Sequence, residues 1–197
     1  MKTTLLLSML AAAALLATDA SADTTVPVGH FHSVTIEGMG HVTFVHGAQQ
    51  RVVLKAGDTT NTQISVKDGG DLVFKSCPSK GWFGWNSSCP SGYDLQVEIT
   101  TPELSGVVID GSGKIDSTGT FAPQPKLDVE INGSGNVDLA GIPAGASAVA
   151  IHGSGKVRID ARDALDVEIA GSGSVLYAGN PHISQTIMGS GEVKNAK

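Results

Sequence analysis

The chain has 197 residues, a formal net charge of −6, 25 glycines and 41% hydrophobic residues. The acidic balance disfavours nonspecific binding to nucleic acid, and the apolar share is too high for a disordered chain. Abundant glycine beside abundant aliphatic residues fits short strands joined by tight turns.

The N-terminus reads as a targeting segment. Lys2 precedes an apolar run from Leu5 to Ala17, and Ala20-Ser21-Ala22 supplies a small–x–small cleavage pattern. The run falls short of the roughly 20 residues that a membrane span requires. No cysteine follows it to carry a lipid. Residues 1–22 are therefore expected to be a signal peptide, and residues 23–197 a single exported domain, in the periplasm or at the cell surface.

From residue 23 to 105 the pattern is irregular. Strands are expected at 50–55, 62–67, 71–75 and 94–100, with turns at Ala56-Gly57-Asp58 and Asp68-Gly69-Gly70-Asp71. His30, His32, His41 and His46 could supply a metal site, but solvated strand histidines are far commoner, so no metal or cofactor is assigned. Cys77 and Cys89 are the only cysteines. In an oxidising compartment they are expected to form a disulfide worth about 2–3 kcal/mol. They would close a loop, 76–90, that holds both tryptophans, Trp82 and Trp85, together with Phe83. These rings are candidate contact residues for a sugar, a lipid interface or a protein. They could equally fold back and plug the body of the domain. Asn86-Ser87-Ser88 matches a glycosylation sequon, which carries little weight in a bacterial-type exported chain.

The strongest signal is a repeat. Ile36-Glu-Gly38-Met-Gly40-His-Val42 returns as Ile109-Asp-Gly111-Ser-Gly113-Lys-Ile115 and Ile131-Asn-Gly133-Ser-Gly135-Asn-Val137. It recurs as Ile151-His-Gly153-Ser-Gly155-Lys-Val157, Ile169-Ala-Gly171-Ser-Gly173-Ser-Val175 and Ile187-Met-Gly189-Ser-Gly191-Glu-Val193. From Gly111 the intervals are 22, 20, 18 and 18 residues. A second phrase keeps the same period: Leu95-Gln-Val-Glu-Ile99, Leu127-Asp-Val-Glu-Ile131 and Leu165-Asp-Val-Glu-Ile169. Alternation places Leu, Val and Ile on one strand face and acids or amides on the other. The glycines would form tight corners, and Ser112, Ser134, Ser154, Ser172 and Ser190 a ladder beside them. A phosphate-cradling loop is a poorer reading, because each Gly-Ser-Gly leads into another strand rather than a helix. This predicts an all-β fold: a single-stranded parallel β-helix, or solenoid, of about eight right-handed coils. Its coils would be irregular over 23–105 and regular over 106–193.

The recurrent Ile-x-Gly-Ser-Gly-x-Val phrase, the segment Val97-Glu-Ile-Thr-Thr-Pro-Glu-Leu104, and Tyr177-Ala-Gly-Asn-Pro181 followed by Gly189-Ser-Gly191 resemble one family. It is the putative auto-transporter adhesin, head GIN domain family, and the resemblance spans about residues 28–193. It implies an exported β-helical domain and no catalytic residues. The cysteine-bounded insertion departs from the family pattern.

Function is read as noncatalytic binding in the cell envelope, to a glycan, an envelope component or a protein. One alternative is a structural envelope component that assembles through the ends of the solenoid, where strand edges are unpaired. Another is a carbohydrate-active enzyme. Two outward columns could serve it: Asp110, Asn132, His152, Ala170 and Met188, and Asp116, Asp138, Arg158, Leu176 and Lys194. Neither repeats one acid on successive rungs, and a solvated polar face explains both.

Overall fold

The computed structural model describes residues 23–78 and 89–196. The expected leader and residues 79–88, with Trp82, Phe83, Trp85 and the sequon, lie outside them. The described elements are all strands: β1 (Thr24–Val26), β2 (Ser33–Gly38), β3 (His41–His46), β4 (Arg51–Ala56), β5 (Thr62–Lys67), β6 (Asp71–Ser76), β7 (Gln96–Thr101) and β8 (Gly106–Gly111). They continue as β9 (Lys114–Thr118), β10 (Gln124–Gly133), β11 (Asn136–Gly153), β12 (Lys156–Gly171), β13 (Ser174–Ala178), β14 (His182–Gly189) and β15 (Glu192–Asn195). No helix among the described residues is long and apolar enough to cross a membrane.

The architecture corrects the expected single-stranded parallel β-helix of about eight coils. All fifteen strands belong to one mixed sheet, with an eleven-strand path β1-β4-β7-β3-β9-β11-β10-β8-β2-β6-β5 curled as a half-barrel. Three of its pairs are antiparallel: β1 with β4, β4 with β7, and β5 with β6. The physical reason lies in the turns. β4, β5 and β6 carry no Gly-Ser-Gly corner. Between β5 and β6 the Asp68-Gly69-Gly70 turn has φ of +97° and +77° at its glycines, and Gly70 N–H donates to Lys67 O at 3.0 Å. Such a turn reverses the chain and makes a hairpin. The sheet therefore does not consist of equivalent successive coils.

Where the repeat phrase does occur, strands pair in parallel and in register. Ile36 aligns with Ile109, Ile131, Ile151, Ile169 and Ile187 in turn. Val42, Ile115, Val137, Val157, Val175 and Val193 form a second column. β11 pairs with β9 through its first residues and with β10 through its last, so a single strand turns with the curl of the sheet. Inward side chains from both stretches meet in one core, which also buries Phe31, Phe44, Phe74, Leu104 and Phe121.

The corner is set by backbone contact. Gly153 has φ +136°, and a Cβ there would lie 2.2 Å from Gly133 O. That same oxygen accepts the N–H of Ser154 at 2.9 Å. The hydrogen-bond ladder thus passes through the corner without interruption, which only a residue lacking Cβ allows. One inward position breaks the aliphatic pattern. Ser147 stands between Leu127 and Leu165, and its buried Oγ has no hydrogen-bond partner among the described residues.

Two stability measurements follow. Gly153→Ala is expected to cost about 3 kcal/mol or more, and Gly69→Ala clearly less, since nothing lies within 4 Å of a Cβ at Gly69. Equal thermal shifts for the two would contradict the steric account. Ser147→Ala should raise stability by about 1 kcal/mol, by removing an unsatisfied buried hydroxyl. Denaturant melts with an unchanged slope would check this, and a destabilised variant would show that the hydroxyl is satisfied.

Candidate functional site

The outward side of the long parallel ladder bears a groove of about 520 Å³. It crosses β2, β8, β10, β11 and β12, a width of about 19 Å at ordinary strand spacing. Its form follows from which residues align. Asp128, Ala148 and Asp166 share one row, and Glu130, Ala150 and Glu168 the next. Two short side chains on β11 thus lie between two pairs of carboxylates on β10 and β12. The floor is alanine and the rims are acid. Beyond β10 the floor continues over Gly106 and Val108, and the far wall is built from His32, Ser33, Thr35, Asp71 and Ser105.

The far wall is internally satisfied. Ser33 Oγ donates to Asp71 Oδ1 at 3.2 Å and Thr35 Oγ1 to Asp71 Oδ2 at 3.0 Å. His32 Nδ1 lies 3.0 Å from Ser105 Oγ. The acidic rims are less so. Asp128 Oδ2 takes Lys126 Nζ at 2.6 Å, but its Oδ1 is shielded from solvent and has no partner among the described residues. Glu130 accepts a hydrogen bond from Asn132 at 2.9 Å. Asp166 and Glu168 are exposed and enter no ion pair among the described residues. The groove therefore offers acceptors and asks for donors. The phrases at 127–131, 147–151 and 165–169 already contained this pattern. Aligning them sets Ala148 and Ala150 in the places that Asp and Glu fill on either side.

The two outward columns considered for catalysis are occupied in ordinary ways. Asn132 Nδ2 bonds Asp110 Oδ1 at 2.7 Å, and register places His152 beside Asn132. Arg158 pairs with Asp138 at 3.1 Å. Asp116 Oδ2 is 2.7 Å from both Lys114 Nζ and His41 Nε2. Burial pushes the Asp116 carboxyl up, but the hydrogen bonds from Lys114, His41 and Thr43 outweigh it and hold the group below its usual range. His46 rests edge-on against Phe121 at 5.2 Å. Among the described residues no group of three His, Cys, Asp or Glu side chains could hold a metal ion.

Cys77 and Cys89 form a disulfide with a Cα–Cα distance of 5.2 Å. It sits at the first corner, in a hollow with Gly38, Met39, Gly111 and Ser112. Cys77 and Cys89 thus lie at the same row of corners that the Gly-Ser-Gly repeats build.

These features define an all-β module with a shallow, donor-seeking groove across a parallel ladder. The chain belongs to the putative auto-transporter adhesin, head GIN domain family, whose model matches residues 30–142 and again 125–181. Among solved structures it is similar to a putative adhesin from Bacteroides fragilis, 19% identical, with a TM-score of 0.50 over 88% of this chain and 95% of that one. It is also similar to a putative cell adhesion protein from Clostridium sporogenes, 13% identical, with a TM-score of 0.41 over 88% and 99%. A putative lipid binding protein from Parabacteroides distasonis is 19% identical, with a TM-score of 0.35 over 89% and 96%. At 19% identity the likeness to the Bacteroides fragilis protein is one of fold. No curated protein matches the sequence.

A pH effect follows from the lowered carboxyl of Asp116. Such a group contributes stability that is present above its unfolded pKa, near about 4, and is lost as pH falls through the folded value. The melting temperature should drop on acidification below that range. Asp116→Asn should melt lower at neutral pH and show a shallower acid slope. An unchanged slope would show that the carboxylate contributes nothing to folding.

Proposed function

We propose that this is a noncatalytic, adhesin-like binding module of the cell envelope, and that it holds its partner along the acidic groove. The observation that carries the reading is the pair of carboxylate rims over an alanine floor, with Asp128 Oδ1 unpartnered and Asp166 and Glu168 free of ion pairs among the described residues. A groove that crosses five strands suits an extended chain, and carboxylates suit one that carries amines or hydroxyls. An amino-sugar polymer has both. The family's name points to adhesion and supports export to the periplasm or surface. Trp82, Phe83 and Trp85 would supply flat contacts from the segment that Cys77 and Cys89 bound.

The test is binding of residues 23–197 to chitosan oligosaccharides and to peptidoglycan. Binding should be saturable and weakened by salt, and Asp166→Asn/Glu168→Gln should reduce affinity at least tenfold while the fold is kept. Trp82→Ala/Trp85→Ala should reduce it further. Saturable binding that ignores the carboxylate substitutions would remove the groove from the account.

A further inference from the structure

The parallel ladder ends on strands whose outer edges are open. Among the described residues β14 pairs only with β12, and β15 only with β13. The far edge of β14 presents the backbone groups of an eight-residue strand, all of whose residues are exposed. Soluble proteins usually blunt such an edge by making it short or charged. The other edge strands among the described residues fit that rule: β1 has three residues, β5 ends on Lys67, and β15 has four residues that include Glu192 and Lys194. β14 does not. It contains no Asp, Glu, Lys or Arg, and it exposes Ile183 at 43%, Ile187 at 36% and Met188 at 58%. Ile183 continues the core column of Leu127, Ser147 and Leu165, and Ile187 continues the column of Ile131, Ile151 and Ile169. Between them Gln185 ends the column of Val129, Val149 and Val167. The core thus stops at an open rung with two isoleucines around one glutamine.

We infer that this rung is covered by a second copy of the same chain, with β14 pairing antiparallel to the partner's β14 about a two-fold axis at Gln185. That register sets Ile183 across from the partner's Ile187 and Ile187 across from the partner's Ile183. The two Gln185 amides then face each other, and each can donate to and accept from the other. A closed two-fold contact requires this self-complementarity, and the sequence about Gln185 has it. Charge allows the approach. The chain as a whole carries −6, but the charged residues of the terminal rung are Glu192 and Lys194, which neutralise one another at 2.8 Å. The inference is independent of the groove, which lies on the outward face and not on the edge.

The test uses residues 23–197 with the native disulfide intact. Sedimentation equilibrium should show a reversible dimer. Gln185→Lys, which sets two ammonium groups face to face, should weaken dimerisation at least tenfold, leave the far-ultraviolet dichroism unchanged, and melt with the parent at concentrations where both are monomeric. Oxidised Gln185→Cys should cross-link to itself. Met188→Cys should not, because residue 188 would stand about 20 Å from its image along the strand. A chain that stays monomeric at all concentrations overturns the inference, as does capture of a peptide of residues 1–22 on β14 in place of the second copy. A dimer indifferent to Gln185→Lys, or equal cross-linking at both positions, overturns it as well.

Discussion

The structure depends on a single close approach. At each repeated corner a glycine carbonyl of one strand lies where the next strand's glycine would carry a Cβ, at 2.2–2.3 Å for Gly111, Gly133, Gly153, Gly171 and Gly189. Because no Cβ is there, the same carbonyl can accept the following serine N–H, and the ladder continues around the bend. Strand register is fixed on both sides of the corner together. A slip of one residue would turn every Ile and Val outward, and it would also drive a side chain into backbone. Packing of the aliphatic columns and the fit of the corner therefore enforce the same alignment.

Fixed register is what gives the outward face meaning. Once Ile131, Ile151 and Ile169 are stacked, Glu130, Ala150 and Glu168 have no freedom to stand elsewhere. The groove is a consequence of composition on a rigid lattice, and it could be altered by outward substitutions without touching the core. Such a division suits a binding module, in which the scaffold must persist while the contact surface varies. The open edge at β14 obeys the same logic from the other direction. The inward columns run to the last rung and meet no cap among the described residues.

Much of the strand content was legible in the sequence. The segments expected at 50–55, 62–67, 71–75 and 94–100 correspond to β4, β5, β6 and β7 within two residues at each end. The in-register stacking of the Gly-Ser-Gly phrases follows directly from their period. The global architecture is not legible there, because the repeat governs only the strands that carry it. Nothing in a period of 18–22 residues reports that β4, β5 and β6 enter the sheet through reversing turns, and their antiparallel pairing is what makes the sheet mixed. The groove was missed for a different reason. It arises from alanines interrupting acids across neighbouring strands, and not from acids or histidines repeated down one column. Trp82, Phe83 and Trp85 stood out by their rarity, and they fall outside the described residues.

The central claim is that the corner is part of the hydrogen-bond ladder and not a loop between strands. Native-state hydrogen exchange tests it residue by residue. The account predicts that the amides of Ser134, Ser154 and Ser172 exchange as slowly as those of Val129 and Val149 in the flanking strands, with one shared opening free energy. Fast exchange at the serines beside protected strands would show that the corners open on their own, and would contradict the claim that they hold the register.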